Sequence, residues 1–443
     1  MARFVSDSSV CRSRGIKQLP ALCLVSVALL HAKTAARAQS LCEQGWRAGV
    51  GLFQNDGDVT AVAVAPNGDP IIAGDFLYGL GSSSQGTVAR RSGGVWTRLG
   101  SGTDDSVLCL AVMPNGDVVA GGRFTVAGGV TAHRVARWNG ASWMPIGVGM
   151  PLPSNSYVRT LAILPSGDLV AGGYFFGGMA GQEGYAFARW DGFAWRALDP
   201  VGISSGGSFV YSLAISASGQ LIAGGAFSSI GAVATNHIAR WNGSTWSPLG
   251  PGPTGDVVLS STVTPINDVI AATCTASTSP RTYGAFRWNG TSWSSLGSGM
   301  NEVVNAVVAR SNGEIIAGGR FTTAGGVTVN GLARWSGVQW RPIGNGVSNA
   351  IVADLKLMPN GDLAVGGGFF YVGTTWSPRF GIYSFSGSGC LADFNCSGSV
   401  GVQDIFDFLN AWLAADPRAD FNSIGGTTTQ DVFDFLNAWF AGC

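Results

Sequence analysis

Seven repeats of about 48 residues, four short strand patterns in each, and a duplicated loop and helix at the C-terminus predict an all-β seven-bladed β-propeller followed by a small α-helical domain. The 443 residues divide into a signal peptide over 1–38, the propeller over 39–389 and the helical domain over 390–443. Lys+Arg and Asp+Glu balance at 26 each, so no basic surface is available for nucleic acid.

The N-terminus carries Arg3, Arg12, Arg14 and Lys17, then an apolar run from Leu19 to about Leu30, then Ala36-Arg37-Ala38. This is the order of a secretory signal, with cleavage expected after Ala38. The run is shorter than the roughly 20 residues of a spanning helix, so no transmembrane anchor is expected. The mature chain is expected to be secreted, outside the cell or on its surface.

The repeat is clearest in VLCLAVMPNGDVVAGGRFTVAGGVTAHRVARWNGASWMPIGVGM. Val107 to Val112 alternates, Asn115-Gly116 supplies a tight hairpin, and the next strand ends in Gly-Gly-x-Phe. Arg134 to Trp138 forms a third strand, Asn139-Gly140 a second tight turn, and Ser142 to Ile146 a fourth strand. The Gly-Gly-x-Phe position or its variant recurs at Phe76, Phe124, Phe175, Phe227, Thr275, Phe321 and Phe369, at intervals of 48, 51, 52, 48, 46 and 48. A doubled glycine followed by an aromatic and then a Trp resembles the kelch repeat over roughly residues 45 to 386. The departure is that Trp138, Trp190, Trp241, Trp288 and Trp335 stand where kelch repeats usually carry Tyr.

The seventh unit stops near Phe385 without a fourth strand, and Gly45-Trp46-Arg47-Ala48 matches that strand at the other end of the chain. Pairing the two closes the ring and removes its open edges. Closure brings Cys42 near Cys390 and favours a bridge between them; Cys396 and Cys443 could clasp the tail, with Cys390 to Cys443 as a competing pairing. Cys109 and Cys274 fall in separate blades and are expected to be free and buried.

The tail contains ADFNCSGSVGVQDIFDFLNAWLA and ADFNSIGGTTTQDVFDFLNAWFAGC, with Asp393 and Asp420 separated by 27 residues. Calcium takes about six to eight oxygens, which a loop of about 12 residues presents from positions 1, 3, 5, 7, 9 and 12. Asp393, Asn395, Ser397 and Asp404 fill positions 1, 3, 5 and 12, and Ser399 offers its carbonyl at 7. In the second loop Asp420, Asn422, Gly426 and Asp431 occupy the corresponding places, but Ile424 at position 5 has no side-chain oxygen, so a weaker site is expected. Amphipathic helices follow both loops. This duplication resembles the dockerin domains, in the subgroup ending in Gly-Cys. The resemblance implies Ca2+ as cofactor and a cohesin-like or other surface scaffold protein as partner.

His133 and His237 are the only histidines after the signal, which leaves almost no material for a Ser-His-Asp or His-metal centre. Asp69, Asp117, Asp168 and Asp362 recur at one turn position and read as turn chemistry. Arg90, Arg137, Arg189, Arg240, Arg287 and Arg334 recur beside the third-strand Trp or its substitute and are expected to stack on aromatics or on neighbouring blades. Lettering the strands of a unit a to d, the a–b and c–d turns are tight and repetitive and share one face. The variable b–c and d–a loops form the other, which can acquire specificity. There Phe176, Tyr185, Tyr283, Tyr371 and Trp376 are the candidate contacts for a glycan or protein ligand. The function expected is a non-catalytic binding or adhesion platform attached through its tail. The alternative is a dockerin-bearing glycoside hydrolase or lyase, for which Asp104, Asp105, Glu183 and Asp256 are the loop acids.

Overall fold

The structure, a computed structural model, describes residues 45–48, 57–75, 86–150, 153, 155–175, 187–198, 209–231, 233–275, 280–348, 351–385, 394, 401–414, 419, 421 and 427–441. One compact unit spans Gln44–Ser386, and the helices after it belong to a second. The signal segment, Cys42, Cys390, Cys396 and Cys443 lie outside the described residues.

The first unit contains seven four-stranded antiparallel sheets, one per repeat. Blade 2 is typical: Val107–Val112, Val118–Gly122, Val135–Trp138 and Trp143–Pro145 are its strands a to d. Strand b is wholly buried in blades 1, 2, 6 and 7 and buried up to its last residue in blades 3, 4 and 5, so the core is a ring of Val, Ile and Ala packed between neighbouring sheets. The doubled glycine at the end of strand b has two separate causes. A Cβ on Gly121 would meet Val158 of the next blade at 2.7 Å, and one on Gly122 would sit 2.1 Å from the Ser106 carbonyl. The first glycine lets blades approach; the second accommodates a bulge in strand a, between Val107 and Cys109.

Blade 7 is built from both ends of the unit. Gly45–Ala48 pairs antiparallel with Phe380–Ser384, as Gly45↔Ser384 through Ala48↔Gly381, and Trp46 lies edge-on to Tyr383 with centroids 5.1 Å apart. In blades 2 to 6 the same place is a Trp pair, such as Trp138 with Trp143 at 5.7 Å, and in blade 1 Arg91 stands opposite Trp96. The d-strand Trp also ties blade to blade: Trp143, Trp195, Trp293 and Trp340 donate through Nε1 to the carbonyls of Leu99, Ile146, Leu249 and Leu296.

The arginine series does not stack as expected. Arg90 pairs with Asp69 at 2.9 Å and Arg137 with Asp117 at 3.5 Å; Arg189 and Arg287 hold Asp168 and Asp268, and Arg334 lies 3.7 Å from Glu314. The turn acid and the strand-c cation are adjacent across one hairpin, so the carboxylate wins over the ring. In blade 7 strand c offers Ile382 at this place, and Arg47 from the N-terminal strand pairs with Asp362 instead.

In the second unit, helices α1 (Val402–Leu413) and α2 (Thr429–Ala441) pack through Phe408 and Phe435, stacked 4.1 Å apart and both fully buried. The copies support each other reciprocally. Trp412 Nε1 donates to Thr428 O, and Trp439 Nε1 donates to Gly401 O. Among the described residues no helix is long and apolar enough to cross a membrane.

Candidate binding surface

Each strand a starts at the variable-loop face, bulges one or two residues later, and runs along the central axis to the turn face. The bulge breaks the period-2 alternation, so Thr60, Leu108, Arg159, Tyr211, Leu259, Asn305 and Ala353 occupy one level of the axis, one per blade. The next level links blades by hydrogen bonds. The Oγ atoms of Thr160, Ser212 and Ser260 accept from the N–H groups of Leu213, Ser261 and Val307, and Asp354 Oδ2 accepts from Val62 N–H.

Where the axis opens on the variable-loop face, the blades stop resembling one another. The residues flanking the bulged strand end are Asp58 and Asp75 in blade 1, Ser106 and Arg123 in blade 2, and Tyr157 and Tyr174 in blade 3. Blade 4 places Phe209 and Ala226 there. Blades 3 and 4 thereby assemble an aromatic ladder: Tyr157 to Tyr174 at 6.0 Å, Tyr174 stacked on Phe209 at 4.6 Å and 18°, and Phe209 stacked on Tyr211 at 5.7 Å. Arg123 lies over the Tyr157 ring, 4.3 Å from its centroid. All four rings are only partly buried.

A second aromatic group sits on the blade 7 b–c hairpin. Tyr371 and Trp376 meet edge to face at 5.0 Å and 77°, and Phe370 stacks on Trp376 at 5.6 Å and 15°. Arg379 lies over Phe370 and pairs with Asp58 at 3.0 Å. Trp376 is 56% exposed and Tyr371 42%. The corresponding hairpin positions are Thr125, Val126 and Thr131 in blade 2 and Thr322, Thr323 and Thr328 in blade 6. Those hairpins form without aromatics, so the blade 7 rings are not a requirement of the hairpin.

Of the five aromatics expected from sequence, the structure brings Tyr371 and Trp376 together. It places Tyr283 at the start of a strand c, packed on the core cluster that contains Met300. Phe176 and Tyr185 lie outside the described residues. Sequence reasoning missed the ladder and Phe370; aligning the blades on their bulges exposes the ladder, and aligning them on the end of strand b exposes Phe370.

The loop acids divide by role. Asp104 accepts from Thr125 N–H, Thr125 Oγ1 and Val126 N–H, fixing the blade 2 hairpin. Burial pushes its carboxyl up, but those hydrogen bonds outweigh it and hold the carboxyl below its ordinary range. Asn301 performs the same task in blade 6, so the negative charge is dispensable there. Burial pushes the Asp75 carboxyl up, against a hydrogen bond from Ser106, and the charges of Asp105 and Asp58 push the same way. Glu183 lies outside the described residues, and Asp256 lies near Cys274 and His237.

In the second unit Asp404 and Asp431 are buried at the N-terminal turns of α1 and α2 and accept from the N–H groups of Gly401 and Thr428, at 2.8 and 2.7 Å. Buried carboxylates turned back toward their loops fit the last ligand position of a calcium loop. Asp393, Asn395, Ser397, Ser399, Asp420, Asn422 and Gly426 lie outside the described residues. Among the described residues no group of three or more His, Cys, Asp or Glu gathers as a metal site.

The profile of DUF5122, a β-propeller domain of unknown function, matches residues 310–334. No curated protein sequence matches the chain. Similar solved structures include a catalytically inactive virginiamycin B lyase from Staphylococcus aureus with quinupristin, at 14% identity and TM-score 0.52, covering 77% of this chain and 99% of that one. The WD40 β-propeller domain of Doa1 is similar at 12% identity and TM-score 0.51, covering 78% and 99%. The extracellular domain of a putative hybrid two-component system from B. thetaiotaomicron is similar at 12% and 0.51, covering 77% of this chain and 39% of that one. A lyase, a WD40 domain and an extracellular domain at such low identity share the propeller fold with this chain and nothing more specific.

Proposed function

We propose that the propeller is a non-catalytic binding or adhesion platform with kelch-like repeats, acting outside the cell and attached there by a dockerin-like, calcium-dependent tail to a cohesin-like or other surface scaffold protein. The observation that carries the platform reading is the Tyr157, Tyr174, Phe209, Tyr211 ladder at the variable-loop mouth, where the repeat diverges most. Offset rings at this spacing suit the flat faces of pyranose rings or aromatic side chains of a protein ligand. Arg123 and the blade 1 acids supply polar groups beside them.

The test is a glycan array paired with a reducing-sugar release assay, on the full chain and on Tyr174→Ala. The reading expects retention without turnover, weakened at least tenfold in the variant, about 1.4 kcal/mol. A carbohydrate-active enzyme is the second reading, favoured by the raised carboxyl of Asp75 beside Asp58 and Asp105. Sugar release abolished by Asp75→Asn would establish it.

For the tail, the proposal is Ca2+ held in the first loop by Asp393, Asn395, Ser397, Ser399 and Asp404, and more weakly in the second by Asp420, Asn422, Gly426 and Asp431. Calcium calorimetry on the full chain is expected to lose the tighter event in Asp404→Ala and the weaker one in Asp431→Ala. Equal uptake by wild type and both variants would remove calcium from the account. The bridges Cys42 to Cys390 and Cys396 to Cys443 remain proposals, decided by mass mapping of peptides against the competing Cys390 to Cys443.

A further inference from the structure

The turn face of the propeller, which its repetitive turns mark as structural, carries a recess of about 690 Å³ where strands a of blades 7, 1, 2 and 3 leave the axis. Its wall is Val64, Val112, Ile163 and Leu357, with Met113 and Met358 beside them. Behind it along the same strands lies a narrower polar channel of about 130 Å³ that includes Lys356 and Arg159.

Two departures from the repeat coincide here. Blades 7, 1, 2 and 3 place Met358, Ala65, Met113 and Leu164 just after strand a, whereas blades 4, 5 and 6 place Ser216, Thr264 and Arg310 there and form the same hairpins. The fold therefore tolerates polar residues at this position, and the apolar half of the mouth is not a packing requirement. The other departure is Lys356. Its equivalents, each paired opposite strand b in the same register, are Ala63, Ala111, Ala162, Ala214, Thr262 and Val308.

A single cation thus stands where the six other blades are uncharged, one residue behind the recess wall. Its ammonium lies 3.7 Å from Asp354 Oδ1, a long pair. Asp354 is already engaged by the N–H groups of Val62 and Leu355, both at 2.8 Å. An ammonium carries three N–H donors, and this one long pair leaves others for the channel that Lys356 lines.

We infer that this recess binds an aliphatic carboxylate, its hydrocarbon chain against Met113, Met358 and the strand-end aliphatics and its carboxylate on Lys356. Burial of a chain of several methylenes supplies the affinity, at about 0.8 kcal/mol per buried CH2, and the ammonium selects an anion over a neutral head group. Arg159, further along the channel, donates through Nη1 to the Leu108 carbonyl.

The experiment is calorimetric titration of the full chain with octanoate, octan-1-ol and acetate, repeated on Lys356→Ala and Met113→Ser. Both substitutions install residues that sister blades already carry at the same position, and melting temperatures verify the fold. The expected result is saturable octanoate binding at millimolar concentration or below, no acetate binding, octanoate weakened about tenfold by either substitution, and octanol indifferent to Lys356→Ala. Absence of octanoate binding by wild type, octanoate binding insensitive to both substitutions, or acetate binding as tight as octanoate would each overturn the assignment.

Discussion

Blade 2 and blade 7 fold the same four-stranded sheet from different covalent material. In blade 2 the four strands are continuous in the chain, the d-strand Trp143 is 3% exposed, and its Nε1 reaches the preceding blade. Blade 7 takes strand d from the other end of the unit, and among the described residues the buried Nε1 of its Trp46 has no hydrogen-bond partner. The turn acid of blade 2 pairs with its own strand c; that of blade 7, Asp362, is 1% exposed and pairs with Arg47 from the N-terminal strand. The same architecture therefore survives the loss of one blade-to-blade hydrogen bond and the supply of one ion-pair partner from the other end of the unit. Blade 7 is also the blade that carries the exposed aromatic hairpin.

The largest expected contrast is in the d-strand tryptophans. Trp143→Ala removes a fully packed ring and a blade-to-blade hydrogen bond, and is expected to cost about 3–5 kcal/mol in urea unfolding. Trp46→Ala removes a half-buried ring with no hydrogen bond to lose, and is expected to cost about 2 kcal/mol. A larger loss from Trp46 would mean that the seam is the strongest link in the ring.

Next in size are the turn acids. Asp362→Ala strips Arg47 of its partner and removes a buried acceptor that also takes Asn360 Nδ2–H, a loss of about 1–3 kcal/mol. Asp117→Ala breaks a solvent-screened pair worth less than about 1 kcal/mol. The two also differ with pH. Burial raises the Asp362 carboxyl above 3.8 and outweighs the opposing effect of Arg47. A raised carboxyl favours folding most below its unfolded value and loses that contribution as pH rises through the folded value. Wild type should therefore lose ground to Asp362→Asn as pH rises from 3.8 upward, a trend that denaturation curves at several pH values measure. A gap that widens in favour of wild type over that range would show the Arg47 pair to dominate.

Ring closure was legible in sequence because Trp and glycine recur at fixed spacing, so the missing strand at one end could be matched to a surplus strand at the other. The tail helices were legible for the same reason of repetition. The arginine pairing was misread: the sequence shows Arg next to Trp along the strand, whereas Asp lies across the hairpin, and only the register reveals which is closer in space. The channel and the ladder were illegible because each bulge inserts a residue into the alternation, shifting Arg159, Tyr211 and Asn305 onto the axis. Tyr174 and Phe209 lie 35 positions apart in the numbering and meet only because neighbouring blades abut. The turn-face recess was hidden by the regularity of the turns themselves, because the variation that shapes it lies in the residue just after each strand a.

A smaller contrast separates the two cysteines. Burial pushes the Cys109 thiol up to about 12, and burial also pushes up the thiol of the half-buried Cys274. Under native conditions near neutral pH, alkylation followed by mass spectrometry is expected to label Cys274 slowly and Cys109 only on unfolding. Labelling in the opposite order would contradict the burial of strand a in blade 2.

The smallest expected effect on stability belongs to the aromatic hairpin, and it is also the most direct test of the central claim that residues breaking the repeat serve ligands rather than the fold. The measurement pairs a thermal melt with a glycan and peptide array for wild type and for the double variant Tyr371→Thr/Trp376→Thr, which restores side chains found in the blade 6 hairpin. The account predicts stability within about 0.5 kcal/mol of wild type together with loss of the ligands that wild type retains. An unchanged binding profile, or unfolding in place of selective loss of binding, would contradict it.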